Sequence, residues 1–156
     1  MTQGCPFFAR AISVLIVLLA LSGCSLFDPK VELDRLRLDV APRANDNTPI
    51  AVDFIAVRDA ELLKQLSGIP ARQWFAEREQ FRRDYRTQLS VWSLELVPGQ
   101  FMESNDFPLA GEPSAGLLVF AGYNTPGVHR LRLDDQRMVW LKFESRDMRL
   151  LGGEER

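Results

Sequence analysis

Two short runs with almost no polar residue, Ile50 to Val57 (IAVDFIAV) and Gly116 to Ala121 (GLLVFA), constrain the fold more than anything else in the chain. Runs of this length, rich in β-branched and aromatic residues and bounded by turn residues, read as central strands covered on both faces. Around them the pattern changes to strict alternation. Leu36, Leu38 and Val40 alternate with Arg35, Arg37 and Asp39, and Trp92, Leu94 and Leu96 with Ser93 and Glu95. His129, Leu131 and Leu133 alternate with Arg130 and Arg132, and after Asp134-Asp135-Gln136 come Val139, Leu141 and Phe143. Period-two alternation puts one face in a core and the other in water. Phe101 to Phe107 is a weaker strand candidate, and Met148 with Leu150 suggests a last short strand. Between strands lie the Pro-, Asn- and Asp-rich segment Ala41 to Pro49, Pro98-Gly99, and Tyr123 to Gly127, all turn chemistry.

Strand patterning stops once. Asp59 is a candidate N-cap before Ala60-Glu61-Leu62-Leu63-Lys64-Gln65-Leu66, which Ser67-Gly68 closes. Pro70 opens a second helix, in which Trp74, Arg78, Phe81 and Tyr85 recur at helical spacing. Residues 59–86 are thus a helical insertion between strands. Seven or eight strands with short turns, interrupted once by helices, predict a mainly β fold, a β-sandwich over residues 31–156. A chain of 156 residues suits one such domain.

The first 23 residues read differently. Ala11 to Ala20 (AISVLIVLLA) carries no charge and is preceded by Arg10. Ten apolar residues are too few to span a bilayer, which needs about 20, and fit the core of a secretory signal. The run ends at Leu21-Ser22-Gly23-Cys24, which resembles the lipobox of bacterial lipoproteins at all four positions. A thiol is the nucleophile there that can accept a diacylglyceryl group as a stable thioether. The resemblance implies cleavage between Gly23 and Cys24, lipid on Cys24 and N-acylation of the new terminus. Two or more acyl chains make membrane attachment effectively permanent, each buried methylene adding about 0.8 kcal/mol. Ser25 follows the cysteine, where an Asp would signal inner-membrane retention, so the expected destination is the periplasmic face of the outer membrane of a Gram-negative bacterium. The tether after Cys24, residues 25–30 (SLFDPK), reaches at most about 20 Å. Residues 24–30 therefore hold the domain close to the lipid.

Composition excludes several function classes. The cysteines are Cys5 and Cys24, so the processed domain forms no internal disulfide. Without residues 1–23 there remain 18 basic and 21 acidic residues, a poor match for nucleic acid. One histidine, His129, and no free cysteine cannot assemble a zinc site. His129 reads as a core or edge residue on the side of Leu131 and Leu133. No G-x-S-x-G elbow occurs, Glu77 and Glu79 point to different sides of their helix, and Asp134 and Asp135 sit in a turn. Asn45-Asp46-Asn47 offers oxygens to calcium but lacks the length, glycine and distal Glu of an EF-hand loop. No metal, cofactor or small-molecule substrate is expected beyond the lipid on Cys24, and the protein is not expected to be an enzyme.

The second helix is the most basic part of the domain, with Arg72, Arg78, Arg82, Arg83 and Arg86 among Glu77, Glu79 and Asp84. It reads as a solvated face, with contact to anionic headgroups or an acidic partner as the functional alternative. Trp74, Phe75, Phe81 and Tyr85 read as core against the sheet.

The ordered set of a lipobox cysteine, short tether, strand, Pro/Asn/Asp loop, apolar strand, helical insertion and further strands resembles the outer-membrane lipoproteins of type VI secretion systems, the TssJ (SciN) family. The passages that carry the resemblance are Pro49 to Asp59 (PIAVDFIAVRD), Leu96-Val97-Pro98-Gly99-Gln100 and Ala115 to Tyr123 (AGLLVFAGY). It implies a transthyretin-like β-sandwich that tethers the periplasmic part of the inner-membrane protein TssM to the outer membrane, with TssL an indirect partner. It also implies that the loop between the first two strands holds TssM, which points to Arg43, Asn45, Asp46, Asn47 and Thr48. Two rival readings are a lipoprotein adaptor or chaperone of another envelope assembly, and a periplasmic carrier of a hydrophobic ligand with Trp92, Phe120 and Trp140 lining its cavity.

Overall fold

The computed structural model describes residues 29–155, so the signal segment, Gly23 and Cys24 lie outside the described residues. Eight strands form two four-stranded sheets: β1 (Arg35–Val40), β2 (Ile50–Val57), β3 (Leu89–Leu96), β4 (Phe101–Ser104), β5 (Gly116–Ala121), β6 (Arg130–Arg132), β7 (Gln136–Phe143) and β8 (Met148–Glu155). One sheet has the order β4-β1-β7-β8 and the other β3-β2-β5-β6. Neighbours are antiparallel except β1 and β7, which run parallel. Helices α1 (Ala60–Leu66) and α2 (Ala71–Asp84) form the insertion. The mainly β sandwich expected from the strand pattern is the fold observed.

The two apolar runs are β2 and β5, the paired central strands of one sheet, and both of their faces are covered. Val52, Phe54 and Ala56 with Leu117, Val119 and Ala121 meet Leu36, Leu38, Val40, Val139, Leu141 and Phe143 of the other sheet. Ile55, Val57, Leu118 and Phe120 face the helices and pack on Leu62, Leu63, Leu66, Trp74 and Phe81. The alternating strands β1 and β7 have the helices' layer on neither side, so every second residue there remains wet. Aromatic stacking fixes both layers. Phe54 stacks on Trp92 at 5.3 Å between the sheets, and Trp74 stacks on Phe120 at 5.3 Å beneath the helices. Asp59 caps α1, its Oδ1 accepting from the Leu62 N–H at 2.7 Å.

Three local expectations change. The strand expected over 101–107 ends at Ser104, whose hydroxyl joins the Asp106 backbone in a tight turn, and Phe107 becomes a buried core residue. The last strand is not short: β8 pairs with the whole of β7 from Phe143 to Gln136, with two register irregularities. His129 stands just outside β6 with φ 45°, buried as expected but not in the strand ladder.

Strand directions sort the connections into two ends. The β1–β2 loop, the β3–β4 turn, the β5–β6 loop and the β7–β8 turn share one end. The incoming chain lies at the other: Val31 N–H bonds the Glu112 carbonyl, Ser114 N–H bonds the Pro29 carbonyl, and Asp34 N–H bonds the Arg137 carbonyl.

Candidate functional site

The loop between β1 and β2 is built around a short stretch of left-handed backbone. Asn45, Asp46 and Asn47 have φ of 50°, 55° and 62°. Asn and Asp tolerate this region because their short polar side chains bond locally, whereas other residues pay a steric penalty. Asn45 is buried and uses its amide fully. Its Nδ2 donates to Thr48 Oγ1 at 2.9 Å and to the Pro49 carbonyl at 3.0 Å, while its Oδ1 accepts from the Asn124 N–H at 2.6 Å. The Thr48 hydroxyl donates to the Asn45 carbonyl at 2.6 Å and accepts from Asn124 Nδ2 at 3.0 Å. The Asn45 N–H reaches the Ser145 carbonyl at 3.0 Å. One asparagine therefore joins three of the four connections at this end.

This divides the loop residues expected to meet a partner. Arg43, Asp46 and Asn47 are exposed and Thr48 is half-exposed. Asn45 points inward and holds the others in place, and its oxygen is already occupied by a backbone N–H. Three of the five large hydrophobic residues exposed among the described residues also lie at this end. Val97, Phe101 and Val128, all at or next to these connections, are 49%, 57% and 54% exposed.

A polar post supports the loops from below. The Tyr123 hydroxyl lies 2.8 Å from the Asp147 carbonyl and 3.1 Å from the Glu144 carbonyl, donating into this pair. Burial, and then the charges of Asp147 and Glu144, push the phenol above its ordinary value. His129 stacks on Tyr123 at 4.8 Å, and both its nitrogens face acceptors: Nδ1 is 3.1 Å from Asp147 Oδ1 and Nε2 is 2.9 Å from the Thr125 carbonyl. The histidine thus serves as a structural bridge between the two loops.

Beside this post lies a cavity of about 350 Å³, walled by Ala51, Phe75, Gly122 and Tyr123 and flanked by Arg72 and Arg78 of α2. Arg78 sits over the Phe75 ring at 5.5 Å and places Nη1 3.4 Å from Asp53 Oδ2. Asp53 is 1% exposed, and its Oδ2 also accepts from Trp74 Nε1–H at 2.8 Å. Asp53 was legible in the sequence as the lone acid inside the run Ile50–Val57. Its partners were not, because they come from a helix more than twenty residues away.

The other residues weighed from sequence do not assemble a chemical site. Trp92 packs between the sheets, Phe120 beneath the helices, and Trp140 on the outer face of the first sheet near Arg37, so the three rings do not converge on one cavity. Trp74 and Phe81 are buried and Phe75 and Tyr85 half-buried, as core against the sheet. The arginines of α2 pair in part along the helix, Arg82 with Glu79 at 3.7 Å. Among the described residues no cluster of three His, Cys, Asp or Glu is placed to hold a metal.

No protein-family model matches the chain, and no curated protein matches it in sequence. Solved structures do match its fold. A chain of a structure described as the type VI membrane complex superposes with a TM-score of 0.58 at 14% identity, over 76% of this chain and 96% of that one. The T6SS lipoprotein TssJ1 from Pseudomonas aeruginosa gives a TM-score of 0.53 at 14% identity, over 78% and 95%. A chain of the structure described as the T6SS protein TssM C-terminal domain from EAEC gives 0.53 at 13% identity, over 76% and 96%. At these identities the likeness is one of fold, shared over 76–78% of this chain and nearly the whole of each match.

Proposed function

We propose that this chain is a TssJ-type lipoprotein of a type VI secretion membrane complex, non-enzymatic, which holds the periplasmic part of TssM and, through it, TssL at the outer membrane. In this reading residues 1–23 are removed as a signal, Cys24 carries the lipid, residues 25–30 form the tether, and residues 31–156 form the docking domain at the periplasmic face. The observation that carries it is the separation of the two ends. The chain enters at one end of the sandwich, and the pinned loop with its exposed Arg43, Asp46 and Asn47 and half-exposed Thr48 stands at the other. A domain lipidated at Cys24 would present that loop away from the bilayer. The shared fold supports the assignment, and the names of the matching structures supply the partner.

Pinning has an energetic consequence. A loop already held in one conformation loses little entropy on binding, which favours a durable attachment. The test has two arms. Intact mass spectrometry of protein from native envelopes should show the chain beginning at a lipidated Cys24, and Cys24→Ser should move it from the membrane to the soluble fraction. Crosslinking in the envelope should recover TssM, and Arg43→Glu with Asp46→Arg should weaken recovery. An unmodified Cys24 refutes the anchor; recovery of a different large envelope protein in place of TssM refutes the partner.

A further inference from the structure

We infer that the cavity between the start of α2 and the β5–β6 loop is a second docking pocket, which receives an aromatic side chain flanked by carboxylates from the partner held by the loop end. The inference rests on the reading above for the identity of that partner. Four observations carry it. The walls are mostly apolar or aromatic, with Ala51, Phe75, Gly122 and the ring of Tyr123, and Thr125 and His129 on the loop side. The volume of about 350 Å³ is at the small end for ligand pockets, ~300–1,000 Å³, and suits one or two side chains more than a cofactor. Its charged lining residues are Arg72 and Arg78, with no carboxylate among the lining side chains. The first turn of α2 contains no acidic residue and no side-chain cap; the Val128 carbonyl takes the Ala71 N–H at 2.9 Å, and the rest of the helix's positive end adds to the two guanidinium groups.

The arginines differ in what they can offer. Arg78 is shared with Asp53 and lies on Phe75, which orients it over the pocket wall. Arg72 is exposed. A guanidinium that forms a two-pronged pair with a carboxylate gives geometric specificity as well as attraction. The pocket is continuous with the loop end, because Asn124, in the same β5–β6 connection as Tyr123 and Thr125, is bonded to Asn45 and Thr48. A partner gripping the 41–49 loop therefore has this cavity within the same footprint.

The experiment uses the full lipidated chain in detergent micelles and the purified periplasmic domain of the TssM protein from the same bacterium, with affinity measured at low and high salt. Arg72→Glu, an exposed change that leaves the fold intact, should weaken binding by about tenfold or more and flatten the salt dependence. Ala51→Leu, which fills the cavity, should weaken binding at both salt concentrations, and Glu77→Gln on the outer face of α2 should change nothing. Binding of the parent with both pocket variants unaffected overturns the pocket and leaves the proposed function standing. No binding by the parent overturns both.

Discussion

Replacing Asn45 tests whether the β1–β2 loop is held by one side chain. Two substitutions separate its two contributions. Asn45→Gly keeps the left-handed backbone at φ 50° and removes the amide. The Asn124 N–H, bonded at 2.6 Å, and the Pro49 carbonyl, bonded at 3.0 Å, then lose their partner at a part-buried site. A buried donor left unsatisfied costs about 1–3 kcal/mol, so Asn45→Gly should destabilise the domain by about 2 kcal/mol. Asn45→Ala adds the left-handed penalty of a Cβ residue, about 1 kcal/mol more, for a total of about 3 kcal/mol. With a urea slope of about 1.5 kcal/mol/M, the midpoints should fall by about 1.3 M for Gly and about 2 M for Ala. Equilibrium urea unfolding followed by tryptophan fluorescence reads both. If the two variants unfold within about 0.5 kcal/mol of the parent, the asparagine does not pin the loop. If Gly costs as much as Ala, the left-handed turn contributes nothing.

Other perturbations probe the supports behind that end. Trp74→Phe removes the N–H that Asp53 Oδ2 accepts at 2.8 Å while keeping a stacking ring, and should cost about 2–3 kcal/mol of unfolding free energy, read from the urea midpoint, because a buried carboxylate loses its closest donor. A parent-like midpoint would show that Arg78 alone satisfies Asp53. Gly116→Ala would place a Cβ 2.6 Å from Leu63 Cδ2 and 2.9 Å from Asp134 Oδ1, both side-chain ends that must shift, and should lower stability by about 1 kcal/mol; an unchanged melting temperature would show that these two side chains swing aside freely. Tyr123 makes stability depend on alkaline pH. Burial holds its folded phenol above the ordinary tyrosine value of about 10, so the unfolded chain loses this proton first and stability falls as pH rises from about 10 toward the folded value. The parent's urea midpoint should therefore drop between pH 9 and pH 11 by more than that of Tyr123→Phe, and parallel pH profiles would contradict the assignment.

Most of the sandwich was legible because its signals are local. Alternation in β1 and β7 reports one wet face, and the unbroken runs of β2 and β5 report two covered ones. The helices announced themselves through Asp59, Ser67-Gly68 and the Trp74–Tyr85 spacing. β8 was underestimated because Gly152, Gly153 and the acids after them carry no apolar pattern; pairing with β7 alone makes them a strand. The candidate site was legible only as a place. Turn residues at 41–49 mark a loop, but the inward role of Asn45 depends on Asn124 and Ser145, far along the chain. His129 shows the same limit. Its alternation with Leu131 correctly implied burial, while its position outside the ladder is set by Asp147 and Thr125, which no local pattern reveals.

The charges of the two ends bear on how an anchored domain would work. At the entry end, the connections 29–34, 58–59, 85–88, 105–115 and 133–135 carry three bases (Lys30, Arg58, Arg86) against seven acids (Glu32, Asp34, Asp59, Asp106, Glu112, Asp134, Asp135). The loop-end connections carry Arg43 and Arg146 against Asp46, Glu144 and Asp147, close to neutral. Anionic headgroups would repel the entry end, so lipid on Cys24 would supply the attachment unaided by surface electrostatics. The last-turn arginines of α2, Arg82 and Arg83, lie toward this acidic end, where they offset part of its negative charge, while Arg72 stands at the other. An eight-residue strand is about 26 Å long, so the loop end would stand roughly that far beyond the tethered end. Repulsion below and a pinned, partly apolar loop end above would favour the same upright orientation, in which a partner approaching across the periplasm meets Arg43, Asp46 and the Arg72 pocket first.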